Sequence, residues 1–190
     1  MDFGNGKKYA TIYADPPWME RGGGKIKRGA DRHYCLMQTK DIAELPVADI
    51  CADNAHLYLW ITNNFLLDGL KVMQAWGFRY VTKITWIKAE KCTEQSFKFQ
   101  NAGLGQYFRG RDECCLFGIK GNLPYKTDDV GKRQQGFTAF AAPRREHSEK
   151  PEEMRQMIER VSYPPYIELF ARNTAPGWDV WGDEVKFKEA

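Results

Sequence analysis

Nowhere does this chain of 190 residues string together the roughly 18 apolar residues that a membrane-crossing helix needs. Its first residues are polar and glycine-bearing, which is unlike a secretory signal. Three nucleotide and hydrolase signatures are missing as well. There is no Gly-x-Gly-x-x-Gly, no Gly-x-x-x-x-Gly-Lys-Ser/Thr and no Gly-x-Ser-x-Gly, so dinucleotide, P-loop and α/β-hydrolase readings lose their main support. Gly22-Gly23-Gly24 follows no strand-to-helix pattern of the required kind and reads as a flexible stretch. Histidine is scarce: His33, His56 and His147 are the only three, none at ligand spacing from a cysteine. The five cysteines, at 35, 51, 92, 114 and 115, form no Cys-x-x-Cys. No metal site is expected. The thiols read as buried or idle groups of a reducing compartment, and Cys114 and Cys115 should point to opposite faces of a strand.

What is present is a length suited to one domain with a substantial core, and a generous aromatic content of 14%. The net charge of +3 is mild, but it is localised. Residues 20 to 32 carry Arg21, Lys25, Lys27, Arg28 and Arg32 against Glu20 and Asp31, an excess of three that equals that of the whole chain. Strand-like and helix-like segments alternate. Strands are expected at Tyr9–Ala14, His56–Thr62, Phe78–Lys88, Glu113–Ile119, Phe137–Ala142, Tyr166–Ala171 and Trp178–Trp181. One helix should run from a cap at Asn63 to Trp76 and stop at Gly77, and another from Pro151 to about Val161, with Glu152 and Glu153 in its first turn. Such alternation implies an α/β fold, a largely parallel sheet covered by helices. Residues 1–190 are expected to form a single domain with mobile loops near 19–33, 89–110 and 121–135.

Asp15-Pro16-Pro17-Trp18 follows the first apolar strand. It therefore sits where open α/β sheets bind ligands, outside the carboxyl end of a strand. Each proline fixes its own φ, and Pro17 restricts Pro16 to an extended conformation, so the backbone is preorganised. Neither proline can donate a hydrogen bond. The Pro16 carbonyl and the Asp15 carboxylate present acceptors only. A group with two N–H donors and a flat π-face fits these acceptors with Trp18 as a stacking plate: the amine of adenine, the amine of cytosine or a glutamine amide. The alternative is a plain proline-rich turn with a capping aspartate. A second polar cluster comprises Lys150 at a helix start, Glu168 and Arg172 flanking the end of a late strand, then Asn173, Asp183 and Glu184. A carboxylate such as Glu168 within an apolar strand is costly unless paired. The alternatives for it are a binding role or a turn toward solvent at a sheet edge.

Taken in order, Asp15-Pro-Pro-Trp18, Asp53-x-x-His56-Leu-Tyr-Leu-Trp-Ile-Thr62, Trp76-Gly-Phe-Arg-Tyr80, Ile84-Thr-Trp-Ile-Lys88, Gly118-Ile-Lys-Gly121, His147-Ser-x-Lys-Pro151, Met157-Ile-Glu-Arg160 and Glu168-Leu-Phe-Ala-Arg172 resemble the MT-A family of adenine-specific methyltransferases. That family includes the catalytic subunit of the mRNA adenosine methyltransferase and small bacterial and phage DNA methyltransferases. The resemblance runs from about residue 9 to 185. It implies a Rossmann-like methyltransferase sheet in permuted order, with S-adenosylmethionine as cofactor. It further implies that Asp15, Pro16, Pro17 and Trp18 form the catalytic pocket. By the same likeness, Asp15, Lys150, Glu168, Arg172, Asn173, Asp183 and Glu184 serve the cofactor, and Tyr34 and Glu113 lie near the substrate adenine. Eight residues precede Tyr9, so the upstream acidic contact of larger family members is expected to be absent or replaced.

The chemistry so implied needs no metal. Hydrogen bonds from the adenine amine to Asp15 and the Pro16 carbonyl would draw its lone pair out of the ring, while alignment with the methyl group supplies the entropy advantage. In duplex DNA the base must first leave the stack. Lys25, Lys27, Arg28, Tyr107, Phe108, Arg109 and Arg111 are the candidate contacts to phosphates and unstacked neighbours. DNA is favoured over RNA by the small size and the basic loops. RNA and a non-catalytic nucleic-acid-binding subunit are the competing readings, and a homodimer is compatible with each. A cytoplasmic location, in a bacterium or encoded by a phage, is expected.

Overall fold

The computed structural model describes residues 6–19, 36–92, 96–102, 107–144, 149–182 and 185. Lys25, Lys27, Arg28, Tyr34, Asp183 and Glu184 lie outside the described residues, as does most of the first expected loop.

The apolar run after Lys8 forms strand β1, Tyr9–Ala14. Two short helices that periodicity did not reveal follow, α1 (Thr39–Ala43) and α2 (Val47–Ile50), and lead into β2, Cys51–Ile61. A 3₁₀ turn at Asn63–Phe65 opens α3, Leu66–Ala75. Asn63 lies inside that turn and does not cap α3. Gly77, at φ +83°, ends the helix as expected. Next come β3 (Arg79–Cys92), β4 (Phe97–Phe99), β5 (Asp112–Lys120) and β6 (Ala139–Pro143). Helix α4 (Glu152–Val161), with Pro151 at its N-cap, then precedes β7 (Tyr166–Leu169) and β8 (Trp178–Trp181). Strand β7 stops where Phe170 turns to φ +62°.

The strands form one sheet in the order β4-β3-β5-β2-β1-β7-β8, with β6 on the other flank of β3. β1 pairs in parallel with both β2 and β7, β7 with β8, and β3 with β6. β5 runs antiparallel to β2 and β3, and β4 antiparallel to β3. Among the described residues six strands thus share one direction and two oppose it, as the expected largely parallel sheet requires. Part of the stretch expected as a loop over 89–110 is instead the outer end of β3 paired with β4: Ala89 stands opposite Phe99. The 121–135 stretch stays irregular but is tied down. The Asp128 carboxylate accepts the N–H groups of Val130 and Lys132 at 3.1 and 2.8 Å, and Lys126 Nζ donates to the Glu159 carbonyl at the end of α4 at 2.7 Å.

Alternation along the strands splits the core into two layers. Ile12, Leu57, Leu59, Ile61, Cys114, Leu116 and Ile167 face α1, α2 and α3. Tyr13, Tyr58, Trp60, Ile84, Trp86, Cys115 and Tyr166 face α4. The two adjacent cysteines therefore do point to opposite faces, and both are buried free thiols. The close seating of α3 needs a glycine: a Cβ at Gly69 would lie 2.5 Å from Ile61 Cγ2 and 3.0 Å from Leu116 Cδ1. The position accepts glycine's cost of roughly 1 kcal/mol in a helix in return for that approach.

The layout fixes one place for a ligand. β1 reaches β2 through helices on one face and lies beside β7, which follows a helix on the other face. That makes β1 the switch point of the sheet, and the crevice at its carboxyl end is where α/β sheets bind ligands.

Candidate active site

Asp15 is the first residue past the carboxyl end of β1, and its N–H reaches the carbonyl of Leu169 at the end of β7 at 3.4 Å. Alternation turns its side chain toward the α4 face, because Tyr13 already faces that way. The turn that follows is tightly held. Trp18 N–H donates to the Pro16 carbonyl at 2.9 Å, and Met37 N–H donates to the Pro17 carbonyl at 2.8 Å. The Pro16 oxygen keeps a second lone pair. Trp18 differs from expectation. It is only 7% exposed, its ring lies 5.4 Å from that of Phe65 in a stacked pair, and its Nε1–H donates to the Trp60 carbonyl at 3.0 Å. One face and the polar handle are thus already engaged, so Trp18 is a wall that anchors the turn and not an open plate.

Around Asp15 the fold assembles a chain of alternating charges. Lys150, immediately before α4, places Nζ 2.6 Å from Asp15 Oδ2 and 3.4 Å from Glu113 Oε2. Glu113 in turn holds Lys88 through Oε1 at 2.6 Å. The register explains the meeting: β5 is antiparallel, so its start lies beside the carboxyl ends of β2 and β3, with Glu113 opposite Trp86. Lys88 shares the face of Trp86, two residues earlier. Two indoles carry the ammonium groups. Lys150 Nζ lies 5.3 Å from the Trp60 ring centroid and Lys88 Nζ 5.3 Å from that of Trp86. Trp60 Nε1–H donates to the Tyr13 hydroxyl at 2.7 Å, and Trp86 Nε1–H to the Ala142 carbonyl at 2.9 Å, which fixes both rings.

The charges shift one another in definite directions. Burial raises the Asp15 carboxyl above its ordinary value, and Lys150 only partly offsets it. For Glu113 burial acts the same way, but Lys150 and Lys88 outweigh it and hold the group below its usual range. Burial works against charging Lys150, yet Asp15 and Glu113 prevail and raise it, so the ammonium stays charged. The two carboxyls that share Lys150 are thus shifted in opposite directions, Asp15 upward and Glu113 downward. Such divergence between neighbouring carboxyls marks functional sites.

The second expected cluster is only partly assembled. Arg172 follows β7 and lies near enough to Asp15 to lower its proton affinity. Asn173 is exposed beside it. Glu168 lies on the α4 face of β7, opposite Tyr13, where its Oε2 accepts from Arg155 of α4 at 2.6 Å, and Arg155 also binds Glu152 at 2.7 Å. That half-buried ion pair accounts for a carboxylate inside an apolar strand in place of a turn toward open solvent. Tyr107, Arg109 and Arg111 are exposed on the segment that enters β5. Sequence reasoning missed the roles of Lys88, Trp60, Trp86 and Arg155. Trp86 and Lys88 were visible as residues two apart on one face of β3, and Trp60 as the residue two after Tyr58 on β2, whereas the Arg155 contact had no local signal.

Comparison with known sequences decides the family. The MT-A70 family profile matches residues 9–184, from the first residue of β1 past the end of β8. This chain belongs to the MT-A70 family. Among MT-A70 relatives, Type II methyltransferase M.MunI of Mycoplasma sp is 31% identical, over 94% of this chain and 78% of its own length. The human N(6)-adenosine-methyltransferase catalytic subunit METTL3 is 31% identical, over 94% of this chain but 28% of its own length. Human N(6)-adenine-specific methyltransferase METTL4 is 28% identical over 94% of this chain and 38% of its own length. The chain thus spans most of the bacterial relative and about a third of the human ones.

Proposed function

We propose that this chain transfers a methyl group from S-adenosylmethionine to the N6 amine of adenine in DNA. The observation that carries the reading is the acceptor pair at the switch point: the Asp15 carboxylate, held by Lys150 at 2.6 Å, beside the carbonyl of Pro16 on a proline-fixed turn. The names of the relatives, adenine methyltransferases among them, support the same chemistry. DNA is favoured because the chain matches most of the length of M.MunI and a small part of METTL3.

The donor set at the crevice fits the cofactor. Lys150 and Arg172 offer cationic donors for its carboxylate, and Asp15 offers an acceptor for its ammonium. When bound there, the cofactor supplies an electrophilic methyl group. Everything else falls to the protein. Asp15 and the Pro16 carbonyl accept the two amine hydrogens and hold the nitrogen at one place, which converts an encounter into an oriented displacement. The walls formed by Trp18, Trp60 and Trp86 exclude water, so the charges act at low local dielectric. After transfer the nitrogen is cationic and acidic, and Asp15 or water takes its proton. Asp15, raised by burial, is suited to that brief protonation. Lys25, Lys27, Arg28 and Tyr34, together with Tyr107, Arg109 and Arg111, serve as contacts to the strand. The buried thiols of Cys51, Cys114 and Cys115 support a reducing compartment such as the bacterial cytoplasm.

The test is mass spectrometry of nucleosides from DNA and from RNA, each incubated with the protein and methyl-labelled cofactor. Labelled N6-methyladenine in DNA is the expected result. Label confined to RNA would move the substrate, and label in neither would overturn the enzymatic reading.

A further inference from the structure

The outer end of β3 carries an aromatic surface that the chemistry at Asp15 does not use. Phe97 and Phe99 project from the same face of β4, because they are two residues apart. They are 41% and 48% exposed, and their rings meet edge to face at 5.1 Å and 90°. The guanidinium of Arg111 lies 5.0 Å from the Phe99 ring centroid. Residues 96–111 contain Lys98, Arg109 and Arg111 and no acidic residue, while Glu90 of β3 meets Lys98 Nζ at 2.9 Å, so the surface is aromatic with a cationic excess. Further along the same segment Tyr107 and Phe108 are 90% and 91% exposed.

The position of this surface relates it to the site. Lys88, the last member of the charge chain, accepts from Gln100 N–H at 3.0 Å through its carbonyl and donates its own N–H to the Arg111 carbonyl at 2.8 Å. A single residue of β3 thus clasps the end of β4 and the start of β5, while its side chain holds Glu113. Phe99 stands opposite Ala89, one residue beyond Lys88. Paired aromatics beside a guanidinium match the chemistry of single-strand binding, in which bases stack on rings and cations track phosphates.

We propose that Phe97, Phe99 and Arg111 form a stacking platform for an unpaired nucleobase that flanks the target adenine. The inference rests on the reading of the site as one that acts on nucleic acid. The platform takes any base, since every base has a π-face, and holds the strand while the adenine enters the crevice. A second copy of this chain is the competing occupant; the cationic rim disfavours a pairing of two such surfaces.

The experiment measures binding of a short labelled oligothymidine with one central adenine, and of its oligouridine counterpart, by fluorescence anisotropy. The Phe97→Ala/Phe99→Ala double variant should bind roughly tenfold more weakly than the parent, with cofactor affinity and melting temperature unchanged. Phe99→Trp should bind as the parent does. Replacing the nucleotides that flank the adenine by abasic residues should weaken binding to the parent and leave the double variant unaffected, since the two changes remove the same contact. Equal binding by parent and double variant would overturn the platform while leaving the methyltransferase reading intact. A parent that binds neither oligonucleotide would instead sink the underlying reading. A dimeric parent that becomes monomeric on the double substitution, seen by light scattering, would assign the surface to self-association and overturn the proposal.

Discussion

Lys150 Nζ and Asp15 Oδ2 stand 2.6 Å apart, although 135 residues separate them in the chain. The contact ties the segment before α4 to the switch point of the sheet and offsets part of the rise in proton affinity that burial imposes on the carboxylate. Because the lysine also leans on Glu113 at 3.4 Å, the geometry of the acceptor depends on more than its own pair.

Loss of the acceptor should be felt in turnover. Asp15→Ala removes the carboxylate that fixes the amine, and we expect kcat to fall by at least ~100-fold, the scale of a lost positioned acid or base. Calorimetry should still detect cofactor binding, through Lys150 and Arg172. Turnover near that of the parent would remove Asp15 from the reaction.

The acid side of the pH–rate profile reports the same group. A raised folded-state value means that Asp15 gains its proton at a higher pH than an ordinary aspartate, so kcat/KM should decline on acidification above the usual 3.8. Asp15 is faced by Lys150, Glu113 and Arg172. Lys88→Met strips Glu113 of one cation, draws Lys150 toward it and should move that decline to still higher pH, while Lys88→Arg restores the parent profile. A Lys88→Met profile that coincides with the parent's would deny the charge chain any influence on Asp15.

Acid stability has a different origin. His56 is buried between Ser162, whose Oγ lies 2.8 Å from Nδ1, and the ring of Phe117, and burial lowers it from 6.5 to about 4. The unfolded chain therefore binds a proton that the folded chain refuses in this window. Stability should fall as pH drops from 6.5 toward 4, by up to about 3 kcal/mol from this residue. Urea unfolding of His56→Gln should show a flatter profile across that interval; an unaltered slope would place the loss elsewhere.

Helix α3 offers a test of packing against propensity. Gly69→Ala improves the intrinsic helix preference by roughly 1 kcal/mol but drives a methyl into Ile61 and Leu116. Overpacking of this kind costs about 1–3 kcal/mol, so thermal melting should show net destabilisation or no gain. A clear rise in Tm would mean that the sheet yields easily at this point.

Much of this protein was legible in its sequence because the signals are local. β1 and β8 begin and end where alternation and composition put them, α4 starts after Pro151, Gly77 stops α3, and Cys114 and Cys115 take opposite faces by the period of a strand. The Asp15 turn announced itself through two prolines, whose restriction acts on adjacent residues alone. Tertiary structure decided the rest. Helices α1 and α2 are too short for a periodic pattern, and β4 has only three residues, so pairing with β3 and not propensity makes it a strand. That Glu168 would meet a cation depended on α4 packing across β7, which delivers Arg155 to 2.6 Å. Likewise Lys88, Glu113, Lys150 and Asp15 come from four separate segments, and only the antiparallel entry of β5 beside β3 sets their charges in alternating order. Side-chain type is written in each position; which opposite charge it meets is a property of strand register, fixed only when distant segments pair.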